Sequence, residues 1–391
     1  MRTQVGIVGA GPAGLFLSLL LQRAGIDCVV IEARSRSYVE CRVRAGVLEP
    51  ATVELMQELG VDERMRREAM VDDALDIRFA GNVIHLDFPA LTGRLVHIYG
   101  QQEVVKDLIA ARLAAGGPLL FEAEATRVEG IDGNRPAIHF RHENADATLV
   151  CDLVAGCDGF HGVCRAAIPA GALTVCEREF PFGWLGILSE SPPIAQMTYA
   201  HHERGFALAS RRSPQLSRLY VQCSADDDVA AWPDGRIWDE LHVRLGDDDR
   251  TEIVEGHIVQ KGITPCRSFV AEPMRHGRLF LAGDACHIVP PTGAKGLNLA
   301  AADVRVLARA LADYFHGGAT TGLDRYSDTC LARVWKVVRY STYMTTLLHR
   351  FEEQSPFDRR LQLAELDYVL HSRAAQTVIA ENYVGLPFDG A

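Results

Sequence analysis

The sequence predicts an α/β protein with a Rossmann-like domain, a second domain built on an antiparallel β-sheet, and a helical C-terminal region. Three observations carry this. The chain opens on an apolar run, a glycine-rich turn, a helix-forming stretch and a second apolar run. From about 177 to 270, aromatic and β-branched residues alternate with polar ones, as in Phe206-Ala207-Leu208 and Leu219-Tyr220-Val221. From 320 to 380 the pattern is mostly helical. A length of 391 residues with 48% apolar and 23% charged residues allows two or three domains and excludes a disulfide-stapled mini-protein and a disordered chain.

Val5 to Val8 reads as a buried strand, Gly9-Ala10-Gly11-Pro12-Ala13-Gly14 as a turn, and Leu15 to Ala24 as a helix stopped by Gly25. Cys28 to Ile31 is the next buried strand, ending in Glu32, so the opening is strand, helix, strand with a parallel crossover. Leu75 to Phe79 and Val83 to Phe88 flank Gly81-Asn82 and predict a hairpin. Gln102 to Ala115 reads as a helix closed by Gly116-Gly117. Strands are expected between 119 and 155, with turns at Asp132-Gly133-Asn134 and Glu143-Asn144. After a strand at 278 to 282 come a Gly/Pro-rich turn and a helix from about 297.

Forty basic against fifty-one acidic residues give a net charge of −11, which argues against nucleic acid and anionic membrane as main partners. The ten cysteines contain no C-x-x-C pair, so reduced, mostly buried thiols and a cytoplasmic protein are expected. The uncharged stretch between Arg2 and Arg23 is broken by glycine and proline, unlike a signal-peptide core, and no other uncharged apolar run approaches the ~20 residues of a membrane helix. The acidic runs Asp226 to Asp228 and Asp247 to Asp249 lack calcium-loop spacing and read as solvated loops. No metal is expected: there is no H-E-x-x-H, and G-x-S-x-G and glycine-loop G-K-[ST] motifs are also absent.

Gly9-x-Gly11-x-x-Gly14 stands between strand and helix, and Glu32 follows Gly14 by eighteen residues at the end of the next strand. The glycines allow a tight turn and close approach of a pyrophosphate to helix N–H groups, while Glu32 is placed for a ribose 2′-hydroxyl. A 2′-phosphate would be repelled there, so the nucleotide is FAD or NAD. Cys157-Asp158-Gly159 follows a strand at 150 to 156, and Gly283-Asp284 ends the strand at 278 to 282.

These three motifs, in this order, resemble the fingerprints of the FAD-dependent aromatic hydroxylases, which are single-component flavoprotein monooxygenases. The resemblance runs along essentially the whole chain, through Arg42-Val43-Arg44-Ala45-Gly46-Val47-Leu48-Glu49, Tyr99-Gly100-Gln101, Pro181-Phe182-Gly183-Trp184-Leu185-Gly186, the segment from Gly283 to Leu299, and Ala380-Glu381-Asn382-Tyr383-Val384-Gly385-Leu386-Pro387. It implies an FAD-binding domain at 1–73, 97–173 and 268–318, a substrate domain at 74–96 and 174–267, and a helical region at 319–391. It further implies that Asp284 binds the ribityl chain, that Asp158 and Gly159 lie where FAD and nicotinamide meet, and that Arg42, Arg44 and Gln101 bind FAD. Arg218 is expected beside the flavin ring, and Leu297 and Asn298 at a helix N-terminus that favours negative charge on reduced flavin.

The resemblance implies 4-hydroxybenzoate as substrate and 3,4-dihydroxybenzoate as product, with dioxygen delivered through a flavin C4a-hydroperoxide. Other rings, 3-hydroxybenzoate or 3,4-dihydroxybenzoate, are the alternatives. Arg212 suits the planar carboxylate of an aromatic hydroxy acid, with Ser210 and Tyr220 completing that end. Tyr199 is expected on the para-hydroxyl, linked to Tyr383, with Pro291 contacting the reacting hydroxyl. Withdrawing the phenolic proton raises electron density at the ortho carbon. Met197 beside Tyr199 suggests a flexible wall that tolerates larger rings. Only one dinucleotide fingerprint is present, which leaves the electron donor without a domain of its own, and the resemblance implies NADPH in a surface cleft, at positions matched by Arg34, Tyr38, Arg42, Arg44, His161 and Arg267. Where family members place a histidine at the solvent end of the proton relay, this chain reads Val71-Asp72-Asp73, and Asp72, as an exposed carboxylate, or water is expected to take that role. A homodimer is the family expectation. The rival class is a non-catalytic binding protein on the same fold, which the presence of Asp284 and Arg44 disfavours.

Overall fold

The structure is a computed structural model and describes residues 1–44, 46–246 and 253–388. The acidic run at 247–249 lies outside the described residues. The N-terminal crossover forms as the sequence predicts. Strand Arg2–Val8 lies parallel between Cys28–Ile31 and Ala145–Gly156, and the latter pairs in parallel with Leu279–Leu281. Val8 stands opposite both Ile31 and Gly156, and Gly156 opposite Leu281. That register brings the glycine turn, Glu32, Asp158 and Asp284 to the carboxyl edge of one sheet, where ligands bind in open α/β folds.

Helix Pro12–Arg23 starts with proline at its first position and buries Leu15, Phe16, Leu17, Leu19 and Leu21. A helix apolar on nearly all sides must be covered on several. Helices Gln101–Ala114 and Gly296–Gly317 supply the cover.

The second sheet has eight strands, ordered His287–Ile288, His257–Glu272, Thr174–Glu190, Leu216–Cys223, Ala207–Ser213, Thr198–His201, Ala74–Phe79 and Asn82–Asp87. Its one parallel junction joins Thr198–His201 to Ala74–Phe79. The hairpin turns at Ala80-Gly81, both with positive φ (46° and 79°), so Asn82 belongs to the strand and not to the turn.

The 177–270 region is not all strand. Helix Asp234–Leu245 packs Ile237, Trp238, Leu241 and Leu245 on the outer face of this sheet, forming a separate apolar cluster with Leu185, Leu219 and Val221. Its 3.6-residue period is short, and the flanking strands mask it. Helices Arg36–Cys41, Pro50–Leu59 and Glu63–Glu68 are further additions, as is a small sheet in which Val96–Ile98 pairs with Val47–Leu48 and Met70–Asp72. Strands of two or three residues leave no periodicity to read.

The tail folds as helices Tyr326–Leu348, Pro356–His371 and Arg373–Val384, the second opened by a Ser355/Asp358 capping box. These helices close a core against the second sheet that contains both Tyr199 and Tyr383. Among the described residues, no helix is long and apolar enough to cross a membrane.

Candidate active site

At the nucleotide end, Gly9 has φ +102° and packs against the Cys157 carbonyl, while a Cβ on Gly14 would overlap the Gly9 carbonyl. Gly11 faces open space and caps helix Pro12–Arg23, so the first N–H groups of that helix are presented to an approaching pyrophosphate. The Glu32 carboxylate accepts N–H bonds from Ala10 (2.7 Å) and Arg34 (2.8 Å), which ties it to the glycine turn. Asp284 is exposed at the end of Leu279–Leu281. Behind it, buried Asp303 accepts from the Gly283 N–H (3.0 Å) and pairs with His287 (2.6 Å), propping the turn that presents Asp284. An open glycine cradle, a helix N-terminus and a free carboxylate on one edge fit the pyrophosphate and ribityl parts of FAD.

Asp158 turns back on its own loop, accepting from the Cys164 N–H (2.9 Å). Burial raises its pKa. Arg44 lies beside Arg42, with Asp284 and Tyr220 within electrostatic reach; desolvation first, then Arg42, lower its pKa. Gln101 opens helix Gln101–Ala114 after Gly100. Leu297 and Asn298 sit in the first turn of Gly296–Gly317, whose N–H groups have no intrahelical acceptor. The Asn298 side chain is committed to structure: its oxygen accepts from the Glu49 N–H (3.0 Å) and Thr52 hydroxyl (2.8 Å), and its amide donates to the Val47 carbonyl (3.0 Å).

At the opposite end, adjacent strands bring Ser210, Arg212, Arg218 and Tyr220 together. Ser210 pairs with Arg218 across the strands and donates to its carbonyl (3.1 Å), and the Arg218 guanidinium donates to the Tyr220 hydroxyl (3.0 Å). Arg212 lies against Gly46 and Gly100, where a Cβ would meet its guanidinium, and donates to the Gln102 side-chain oxygen. Burial, and then Arg218, lower the Arg212 pKa. Among the described residues Arg212 is in no ion pair.

Tyr199 and Tyr383 meet where the second sheet touches the tail. Both are buried, with hydroxyls 3.4 Å apart; Tyr199 donates to the Thr292 carbonyl (3.2 Å), beside Pro291 in the turn Pro291–Gly293. Burial raises both phenol pKa values. The Tyr383 hydroxyl also reaches Met197 Sδ (3.2 Å). Met197 is therefore buried and serves as a hydrogen-bond acceptor for Tyr383.

Asp72 is also revised. It is fully buried, where an exposed carboxylate was expected, and it is ion-paired to Arg211, which also donates to the Val71 carbonyl (2.9 Å). Alternation along Ala207–Ser213 sends Arg211 to one face and Arg212 to the other. The pair links the strand beside Arg212 to the small sheet.

The nicotinamide candidates fall into two groups. Arg34 stacks over Tyr38 (5.3 Å) on the edge of helix Arg36–Cys41, with Arg42 and Arg44 following. His161 packs edge-on to Phe160, and Arg267 lies over the same ring (4.7 Å) and near Glu177 (3.7 Å).

Sequence reasoning did not assign Lys295, Glu49 or His349. Lys295 is buried, pairs with Glu49 (2.8 Å) and donates to the Tyr383 carbonyl (2.6 Å). His349 accepts from the Trp184 indole N–H (2.6 Å) and donates to the Thr345 carbonyl (2.9 Å), so both ring nitrogens are used by a neutral imidazole. Burial pushes its pKa down to about 3. Between its ordinary 6.5 and about 3, only the unfolded chain takes up the proton. Stability is therefore expected to fall on acidification through that window, by about 1.4 kcal/mol per pH unit from this residue. Thermal melts across pH 7 to 4 should show the slope flatten in His349→Gln, and an unchanged slope would refute the assignment.

Residues 2–341 match the family model described as FAD binding domain. Along its full length the chain is 48% identical to p-hydroxybenzoate hydroxylase of Acinetobacter baylyi, covering 96% of that protein. It is 25% identical to 3-amino-4-hydroxybenzoate 2-monooxygenase of Streptomyces cremeus, over 88% of each chain. Its fold is similar to that of p-nitrophenol 4-monooxygenase from Pseudomonas putida, with a TM-score of 0.85, 21% identity and 98% of each chain covered. The fingerprints at one sheet edge, the family match and the full-length relative place this chain in the FAD-binding family of flavoprotein aromatic hydroxylases, and it is an FAD-dependent monooxygenase.

Proposed function

We propose that the enzyme uses NADPH and dioxygen to hydroxylate 4-hydroxybenzoate to 3,4-dihydroxybenzoate. The observation that carries this is a buried hydroxyl pair beside the Pro291 turn, Tyr199 from the second sheet and Tyr383 from the tail, with Tyr199 in the same sheet as Arg212, which has no anionic partner among the described residues. The 48% identity to a p-hydroxybenzoate hydroxylase supports the same substrate.

FAD, when bound, takes electrons from the nicotinamide and activates oxygen. Arg212 holds the substrate carboxylate, assisted by Ser210 and Tyr220. Tyr199, already donating to Thr292, accepts the hydrogen bond of the phenol, and Tyr383 passes charge onward. Asp72, locked to Arg211, is not the proton exit in this reading; water serves. The two arginine-bearing groups at Arg34–Arg44 and His161/Arg267 receive NADPH. The segments 1–73, 97–173 and 268–318 act as the FAD-binding unit, and a cytoplasmic setting fits the reduced, mostly buried cysteines.

The enzyme is also read as a homodimer. Phe357, Leu361 and Tyr368, 70%, 54% and 58% exposed, make one apolar stripe with Ala364 on helix Pro356–His371. Arg360 lies toward the start of this helix and Asp367 toward its end. An antiparallel twofold pairing sets the two opposite. Leu361→Arg is expected to halve the mass measured by light scattering. A mass equal to wild type would exclude this face.

The direct test is NADPH oxidation by the holoenzyme in air, with and without 4-hydroxybenzoate, while 3,4-dihydroxybenzoate and hydrogen peroxide are quantified. Matching product supports the reading. Stimulation that yields mainly peroxide means that the ring binds without being the true substrate.

A further inference from the structure

We propose that Arg333 is a positioning residue for Tyr383, acting as a clamp on the chain that follows it. The inference rests on the functional reading only through the role given to Tyr383. Tyr383 lies in the last turn of helix Arg373–Val384, where carbonyls lack intrahelical donors and helices fray, and this last turn carries no basic residue of its own. Cations from elsewhere supply the missing partners. Lys295 takes the Tyr383 carbonyl (2.6 Å), Arg94 the Gly385 carbonyl (3.2 Å), and Arg333 both the Leu386 (2.6 Å) and Pro387 (2.8 Å) carbonyls.

The strap from Gly385 to Phe388 is pressed onto the active-site wall. Gly385, with φ +95°, lies so close to the Glu49 carboxylate that a Cβ there would overlap it. Phe388 is lodged between Arg305 (5.4 Å) and Arg333 (5.2 Å). Arg333 is itself buried and stands 3.8 Å from the Glu49 carboxylate that Lys295 also holds. One planar guanidinium thus spans two consecutive carbonyls, a geometry that an ammonium cannot reproduce. The Tyr199–Tyr383 hydroxyl separation, 3.4 Å, is at the outer limit of a hydrogen bond, so a small shift of the last helical turn opens it.

The test compares FAD-loaded Arg333→Met and Arg333→Lys with wild type. Three quantities are read: hydrogen exchange over the last turn of helix Arg373–Val384, the pH midpoint at which bound 4-hydroxybenzoate shows phenolate absorbance, and 3,4-dihydroxybenzoate formed per NADPH. Arg333→Met is expected to raise exchange about tenfold, move the midpoint upward, and lower product yield about tenfold, with substrate affinity within about twofold of wild type. Lys retains the charge but not the span, so Arg333→Lys is expected to keep at least half of each defect. Full rescue by Lys would assign the effect to charge and overturn the clamp. Unchanged midpoint and yield in Arg333→Met would also overturn it. Should Arg333→Met fail to fold, Phe388→Ala loosens the same strap from the outside. Smaller shifts in the same direction then support the clamp, and wild-type values reject it. Wild type that makes no 3,4-dihydroxybenzoate would refute the functional reading, and the exchange data would still decide the clamp.

Discussion

Tyr199→Phe is expected to lower 3,4-dihydroxybenzoate formation by about 10²- to 10³-fold while substrate-stimulated NADPH oxidation continues and ends in hydrogen peroxide. The magnitude is that of removing one positioned proton-transfer group. Uncoupling follows because the substitution removes the hydroxyl that takes the phenol's hydrogen bond and links it to Tyr383, and the ring then stays a poor nucleophile. Fold and flavin content should survive. Tyr383 retains Met197 Sδ as an acceptor, and the lost Thr292 bond costs about 1 kcal/mol. Parallel assays of product, peroxide and NADPH decide the matter. Coupled turnover within tenfold of wild type would remove Tyr199 from the mechanism.

Arg212→Met is expected to raise the dissociation constant for 4-hydroxybenzoate by about a hundredfold or more, the usual result of truncating one partner of a buried charge pair. Burial and Arg218 both work against the Arg212 charge, and its hydrogen-bond acceptor is the neutral side chain of Gln102. A desolvated guanidinium in that setting gains most from a carboxylate, and its planar fork matches one. Titration of the holoenzyme with 4-hydroxybenzoate and with 4-hydroxybenzamide separates charge from shape. The amide should bind wild type weakly and the variant about equally. Equal loss for both ligands would mean that Arg212 supports the pocket and does not read the anion.

The parts legible in the sequence are those whose physics is local. Gly9, Gly11 and Gly14 between a strand and a helix, Glu32 at the next strand end, and Asp284 after Leu279–Leu281 need only nearest neighbours in the chain to be recognised. The capped, long tail helices are of the same kind. Helix Asp234–Leu245 was lost to its surroundings, because twelve residues of helical period between long strands give a weak signal.

Side-chain commitments were a different matter. Asp72 reads as a surface carboxylate until the packing of the small sheet beside the second sheet brings it to Arg211, 139 residues away. Met197 reads as slack until Tyr383, 186 residues on, donates to its sulfur. Glu49, Lys295 and Arg333 receive no role from the sequence, yet all three are buried near Tyr383. Charged residues enter an interior only when partners meet them there, and those partners come from distant segments that only the folded chain assembles. The amino-acid order alone therefore established the fold class and the nucleotide turn, and its resemblance to the aromatic hydroxylases supplied the candidate residues for an aromatic hydroxy acid. Tertiary structure decided which buried charges hold those residues in place, because desolvation makes an unpaired charge costly and leaves each one bound to whichever partner the topology delivers.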